Sequence, residues 1–84
     1  MPKIFGRVLS KKKIEDNGIV RRLDLIIEED TDNQYCIQVR KSHFPQVLDI
    51  EINNYVQVEY KSQCSENGKR TFNNNILQNL IKVR

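Results

Sequence analysis

Three features of the amino-acid sequence predict an all-β protein, a small five-stranded barrel with one short α-helix between strands 3 and 4. Apolar residues alternate with polar ones, as in Val56, Val58 and Tyr60 against Gln57, Glu59 and Lys61, which is the period of a half-buried strand. Two Asn-Gly pairs, Asn17-Gly18 and Asn67-Gly68, mark tight turns, because both residue types tolerate positive φ. Helical spacing is confined to one short segment, Ser42 to Asp49. A chain of 84 residues is expected to form one domain, residues 1–84, around a small core.

The first strand is expected from Lys3 to Leu9. Ile4, Gly6 and Val8 share one face, and Phe5, Arg7 and Leu9 the other. With apolar residues on both faces, the strand should bend from one layer to the next, and Phe5 reads as core. Gly6 inside it points to a bulge or a close backbone approach. Ser10 to Gly18 is polar and reads as a loop carrying the run Lys11, Lys12 and Lys13, closed by the Asn17-Gly18 turn. A lysine run is most simply a solvated turn. It also places cations beside the next strand.

The second strand is expected from Ile19 to Glu28, with Leu23, Leu25 and Ile27 facing inward and Arg22 on the polar face. Glu28, Glu29 and Asp30 close it in an acidic cluster that would repel phosphate, and Asp32-Asn33 supplies the turn. The third strand spans Gln34 to Arg40. Tyr35 is in phase with Ile37 and Val39, which leaves it as either core edge or a ring available for stacking. In the short helix Ser42 is the expected N-cap and Pro45 falls in the first turn, where it is tolerated. Phe44, Val47 and Leu48 form an apolar stripe suited to plugging an open barrel end. Ile50 and Ile52 should continue that packing, and Asn53-Asn54 should turn the chain into the fourth strand. Tyr55 to Val83 then reads as one long hairpin with a basic tip at Lys69 and Arg70 and an aromatic, Phe72, at its stem. Tyr55 and Tyr60 read as structural. Strand, strand, strand, helix, strand, strand is the order of the OB-fold, a Greek-key barrel. An SH3-like barrel would place its helical turn later.

Composition narrows the function classes. The net charge of +3 favours anionic partners only weakly. No apolar run approaches the roughly 20 residues needed to span a membrane, and no secretory leader is visible, so a cytoplasmic protein is expected. Cys36 and Cys64, both in expected strands, read as reduced, packed thiols, and a single His leaves little for zinc. No cofactor, metal or small-molecule substrate is expected. The acidic residues fall in turns without a paired base or a Gly-rich phosphate loop, and His43 has no triad partner in the sequence, so an enzyme is not expected.

The residues resemble the bacterial single-stranded DNA-binding proteins and their small OB relatives. Gly6-Arg7-Val8 is similar to the opening of that family's first strand. Tyr35 stands where the family places an aromatic at the start of strand three. Asn53-Asn54-Tyr55-Val56-Gln57-Val58-Glu59 resembles its lead into strand four, and Gly68-Lys69-Arg70-Thr71-Phe72 its lead into strand five. The departures are Asn54 in place of the usual Gly, no aromatic in Lys61-Ser62-Gln63-Cys64-Ser65, and no Trp. The sequence ends at Arg84, just after the last strand, without the family's acidic tail, so a bare OB module is expected.

Sequence-independent single-strand binding needs cations for phosphates and flat side chains on which bases stack, at about 1–3 kcal/mol each. The candidate nucleic-acid contacts are Arg7, Lys11, Lys12, Lys13, Arg22, Tyr35, Arg40, Lys61, Lys69, Arg70 and Phe72. Arg22 and Arg40 could stack through their guanidinium planes in place of rings. The tract Asn73-Asn74-Asn75 either solvates the outer face of strand five or hydrogen-bonds bases. The function expected is non-catalytic single-stranded DNA binding, with a dimer or tetramer as a possible assembly. The alternatives are a protein-interaction or assembly subunit without nucleic acid, and an RNA-binding module.

Overall fold

The computed structural model describes the backbone of residues 2–67 and 70–83 and the side chains of residues 2–63 and 74–83. The elements are β1 (Lys3–Asp16), β2 (Ile19–Asp30), β3 (Asn33–Arg40), a 3-10 turn (Lys41–His43), α1 (Phe44–Val47), β4 (Tyr55–Asn67) and β5 (Arg70–Lys82). The strands close into a barrel in the order β1-β2-β3-β5-β4. Every pairing is antiparallel except a short parallel contact, Ile37↔Asn75 and Gln38↔Ile76, between β3 and β5. This is the OB-fold expected from the element order. Among the described residues, no helix is long and apolar enough to cross a membrane.

β1 is the strand on which closure depends. Its first part, Lys3 to Arg7, pairs with β4, and from Arg7 onward it pairs with β2. The bend needs backbone to pass close to backbone at Gly6. A Cβ there would collide with the Glu28 carbonyl oxygen and lie 2.8 Å from Ile27 Cγ2. The bulge itself falls three residues later, where Val8 pairs with Ile27 and Ser10 with Ile26, leaving Leu9 as the extra residue.

β1 also runs well past Leu9, so Lys11, Lys12 and Lys13 lie in a strand and not in a loop. The reason is the two-residue turn at Asn17 and Gly18, with φ of 53° and 77°. Two positive φ values match the twist of a tight hairpin, and such a turn keeps the strands paired to its ends, here Asp16↔Ile19.

Ile4, Val8, Leu23, Leu25, Ile27, Ile37, Val39, Val56, Val58, Leu77 and Leu80 fill the barrel, with Val47 and Ile50 closing one end. Three apolar expectations are corrected. Leu48 is 69% exposed, because α1 ends at Val47 and a turn closed by Ile50 N–H to Val47 O (3.2 Å) brings Ile50 inward in its place. Ile52 is exposed beyond that turn, and Phe5 is 47% exposed, since the inward phase of β1 belongs to Ile4, Gly6 and Val8. Ser42 does not cap the helix. Its hydroxyl lies 3.0 Å from His43 Nδ1, and Pro45 sits in the first turn as expected. The plug is held instead by long side chains. Lys11 Nζ donates to the carbonyls of Val47 (2.8 Å) and Ile50 (3.3 Å), and Leu80 N–H donates to Gln46 Oε1 (2.8 Å). A cation on carbonyls at and just beyond a helix end is favourable both as a hydrogen bond and toward the partial charges of those carbonyls.

Candidate nucleic-acid interface

Directly opposed residues of paired strands share a face of the sheet, so the register sorts the candidate residues. Lys12 lies opposite Asp24, and Asp24 opposite Gln38. Gln38 pairs with Ile76, and Ile76 with Lys61. One row therefore links Lys12, Asp24, Gln38 and Lys61 through the buried Ile76 across all five strands. In the neighbouring row Arg22 and Arg40 stand directly opposite each other. Arg22 Nε is bonded to Asp24 Oδ1 at 3.1 Å, while Arg40 is exposed and forms no ion pair with any described residue. The structure thus brings Lys12, Arg22, Arg40 and Lys61 to one face.

The other candidates lie elsewhere. Lys11 and Lys13 oppose Leu25 and Leu23, on the inward side of β1, and Lys11 is committed to the helix plug. Arg7 is engaged by Glu28 Oε1 at 3.2 Å and Asn53 Oδ1 at 3.1 Å, toward the acidic end of the sheet. Tyr35 opposes the fully buried Ile27, packs partly on the core and tilts against Tyr60 at 6.3 Å between ring centroids. Nearby Glu29, with partial burial, raises its hydroxyl pKa above the ordinary value. The ring is half-buried at the core edge. Lys69, and the side chains of Arg70, Phe72 and Cys64, lie outside the described residues.

Charge is graded along this surface. Arg22 and Arg40 stand at one end of the β2–β3 pair. Glu28, Glu29, Asp30 and Asp32 stand at the other, where Asp30 Oδ1 accepts the backbone N–H groups of Asp32 (2.9 Å) and Asn33 (3.0 Å). The Asn33 side-chain bond, then the bond from Asp32 N–H, holds the Asp30 carboxyl below its usual range. Cys36 departs from expectation. It is a free thiol exposed on this outer face rather than packed, since its neighbours Ile37 and Tyr35 take the inward phase. Partial desolvation, then Asp24, raises its pKa, with Arg22 opposing.

Gln38, which was not among the expected contacts, and Asn74, from the tract with two readings, also belong to the face. Gln38 Nε2 donates to Asn74 Oδ1 at 3.0 Å. The signal for Gln38 was its phase between the inward Ile37 and Val39, and for Asn74 its place in the Asn tract. Among the described residues, no aromatic ring shares the rows of Lys12, Arg22, Arg40 and Lys61. The exposed rings are Phe5 and Tyr55, stacked at 6.0 Å on the outside of the β1–β4 pair. Among the described residues there is also no cluster of three or more His, Cys, Asp or Glu placed to hold a metal ion.

No protein-family model matches the chain, and no curated protein does. Solved structures do. The mitochondrial single-stranded DNA-binding protein Rim1 of S. cerevisiae, in its first crystal form, superposes with a TM-score of 0.75 at 18% identity, over 99% of this chain and 94% of the other. A second form of that protein gives 0.63 at 17% identity, over 99% and 93%. At such identity the likeness establishes a shared fold over nearly the whole length of both chains.

Proposed function

We propose that this protein binds single-stranded DNA non-catalytically, along the outer face that carries Lys12, Arg22, Arg40 and Lys61. The observation that carries the reading is the pair Arg22 and Arg40, directly opposed in register, with Arg40 lacking an ionic partner among the described residues. Like charges facing each other destabilise a sheet, and a phosphate seated between them turns that repulsion into two charge-assisted contacts. The main affinity term is then sequence-independent phosphate neutralisation. Guanidinium planes take part of the stacking that rings supply in other single-strand binders. The shared fold with a single-stranded DNA-binding protein supports the same reading.

The test is fluorescence anisotropy of a labelled oligo-dT over a range of salt. Four phosphate contacts give a slope of log K against log salt of roughly −3. The double substitution Arg22→Ala with Arg40→Ala should weaken binding at least about tenfold and reduce the magnitude of the slope by roughly 1.4, with the fold retained by circular dichroism. Equal affinity of wild type and variant would remove this face from the site, and tighter binding of the matching ribo-oligonucleotide would reassign the ligand to RNA.

A second reading, a protein-contact or assembly role, has its own observation. Phe5, Tyr55, Ile81 and Val83 are exposed together on the outside of the β1–β4–β5 strands, and apolar surface gathered in this way fits a protein partner or another copy of the chain.

A further inference from the structure

We infer that the Gln38–Asn74 amide pair is a base-reading edge that gives the cationic face a preference for adenine. The inference rests on the single-stranded DNA reading and adds a term to it. Both amides are partly exposed, and the bond from Gln38 Nε2 to Asn74 Oδ1 (3.0 Å) fixes them side by side. That bond leaves Gln38 Oε1 as an acceptor and Asn74 Nδ2 as a donor, with no other partner for either among the described residues. The next residue of the tract is anchored as well. Asn75 accepts from Ser62 Oγ at 3.2 Å and donates to the Cys36 carbonyl at 3.5 Å, which steadies β5 against β3 and β4.

Gln38 lies two residues from Arg40 on the same face, about 6.7 Å along the strand. A nucleotide with its phosphate between Arg22 and Arg40 therefore places its base against the amides. An acceptor beside a donor complements a base that presents a donor beside an acceptor. Adenine offers that pattern on two edges, N6–H with N7 and N6–H with N1, whereas thymine offers it on a single edge, N3–H with O4 or O2. The larger purine also covers more of an arginine plane.

The test compares oligo-dA with oligo-dT of equal length and at equal salt, for wild type and for the double substitution Gln38→Ala with Asn74→Ala. Wild type should prefer oligo-dA by about fivefold. The variant should lose most of that preference, its oligo-dA affinity falling further than its oligo-dT affinity, while the salt slope, set by the cations, stays as in wild type. The side-chain NH2 signals of Gln38 and Asn74 in wild-type protein should shift more with oligo-dA than with oligo-dT, a readout that does not depend on the variant folding. Equal affinities in wild type, or an unchanged preference in a folded variant, would overturn the inference. Failure of wild type to bind either oligonucleotide is a separate result, which would overturn the DNA reading and this inference with it.

Discussion

The barrel has two outer faces of opposite chemistry, and β1 contributes to both. Where β1 pairs with β2, the surface carries Lys12, Arg22, Arg40, Lys61 and the amides of Gln38 and Asn74. Where β1 pairs with β4, it carries the Phe5–Tyr55 stack beside Ile81 and Val83. These four cations therefore do not sit with the exposed rings; the cation opposite Tyr55 is Arg7, which is held by Glu28 and Asn53. A single-strand site of the usual kind interleaves cations and rings. Their separation divides the molecule into a polar, charge-driven face and an apolar face suited to packing against protein.

The most damaging way to disturb this division is at Gly6, where β1 passes from one face to the other. Gly6→Ala sets a methyl against the Glu28 carbonyl and Ile27. Backbone cannot move aside as a flexible side chain can, so a loss of about 3 kcal/mol is expected, at the upper end for overpacking. Urea unfolding checks it. A stability within 0.5 kcal/mol of wild type, on the scale of a neutral surface change, would show that β1 does not need this close approach.

A smaller effect separates neighbouring lysines. Lys11→Met removes the bonds to the Val47 and Ile50 carbonyls and should cost about 1 kcal/mol. Oligo-dT affinity and salt slope should change little, because Lys11 lies on the inward side of β1. Lys12→Met should do the reverse, leaving stability alone and reducing the slope by about 0.7. Equal slopes for the two variants would erase the distinction that the register draws.

A change in stability within about 0.5 kcal/mol is expected from Ile81→Lys, at an exposed position. Oligo-dT affinity should stay within about twofold, while any self-association seen by sedimentation velocity should weaken. A variant that lost DNA binding and kept its assembly would show that the strand crosses the apolar face.

Much of the fold was legible locally. Period-two alternation located the strands, Asn17-Gly18 and Asn53-Asn54 located turns, and Pro45 marked the first turn of the helix. Gly6 announced a close approach without naming its neighbour. The site was less legible. Lys11, Lys12 and Lys13 read alike as a charged loop, yet the strand continues through them, and alternation turns the middle one away from its neighbours. The place of Tyr35 beside the core and against Tyr60 depends on a contact between residues 25 positions apart, which no local pattern records.

Local sequence determined the β class, the element order and, for β2, β3 and β4, the apolar side of the strand. These follow from the chemistry of residues one, two or three positions apart. The tertiary structure decided which outward residues meet. The opposition of Arg22 and Arg40, the bond between Gln38 and Asn74, and the hold of Lys11 on the helix join residues 18 to 39 positions apart. Such meetings depend on register, bulges and barrel closure. A bulge at Leu9 or Gln78 shifts every pairing beyond it by one residue, and no local pattern records where that shift falls.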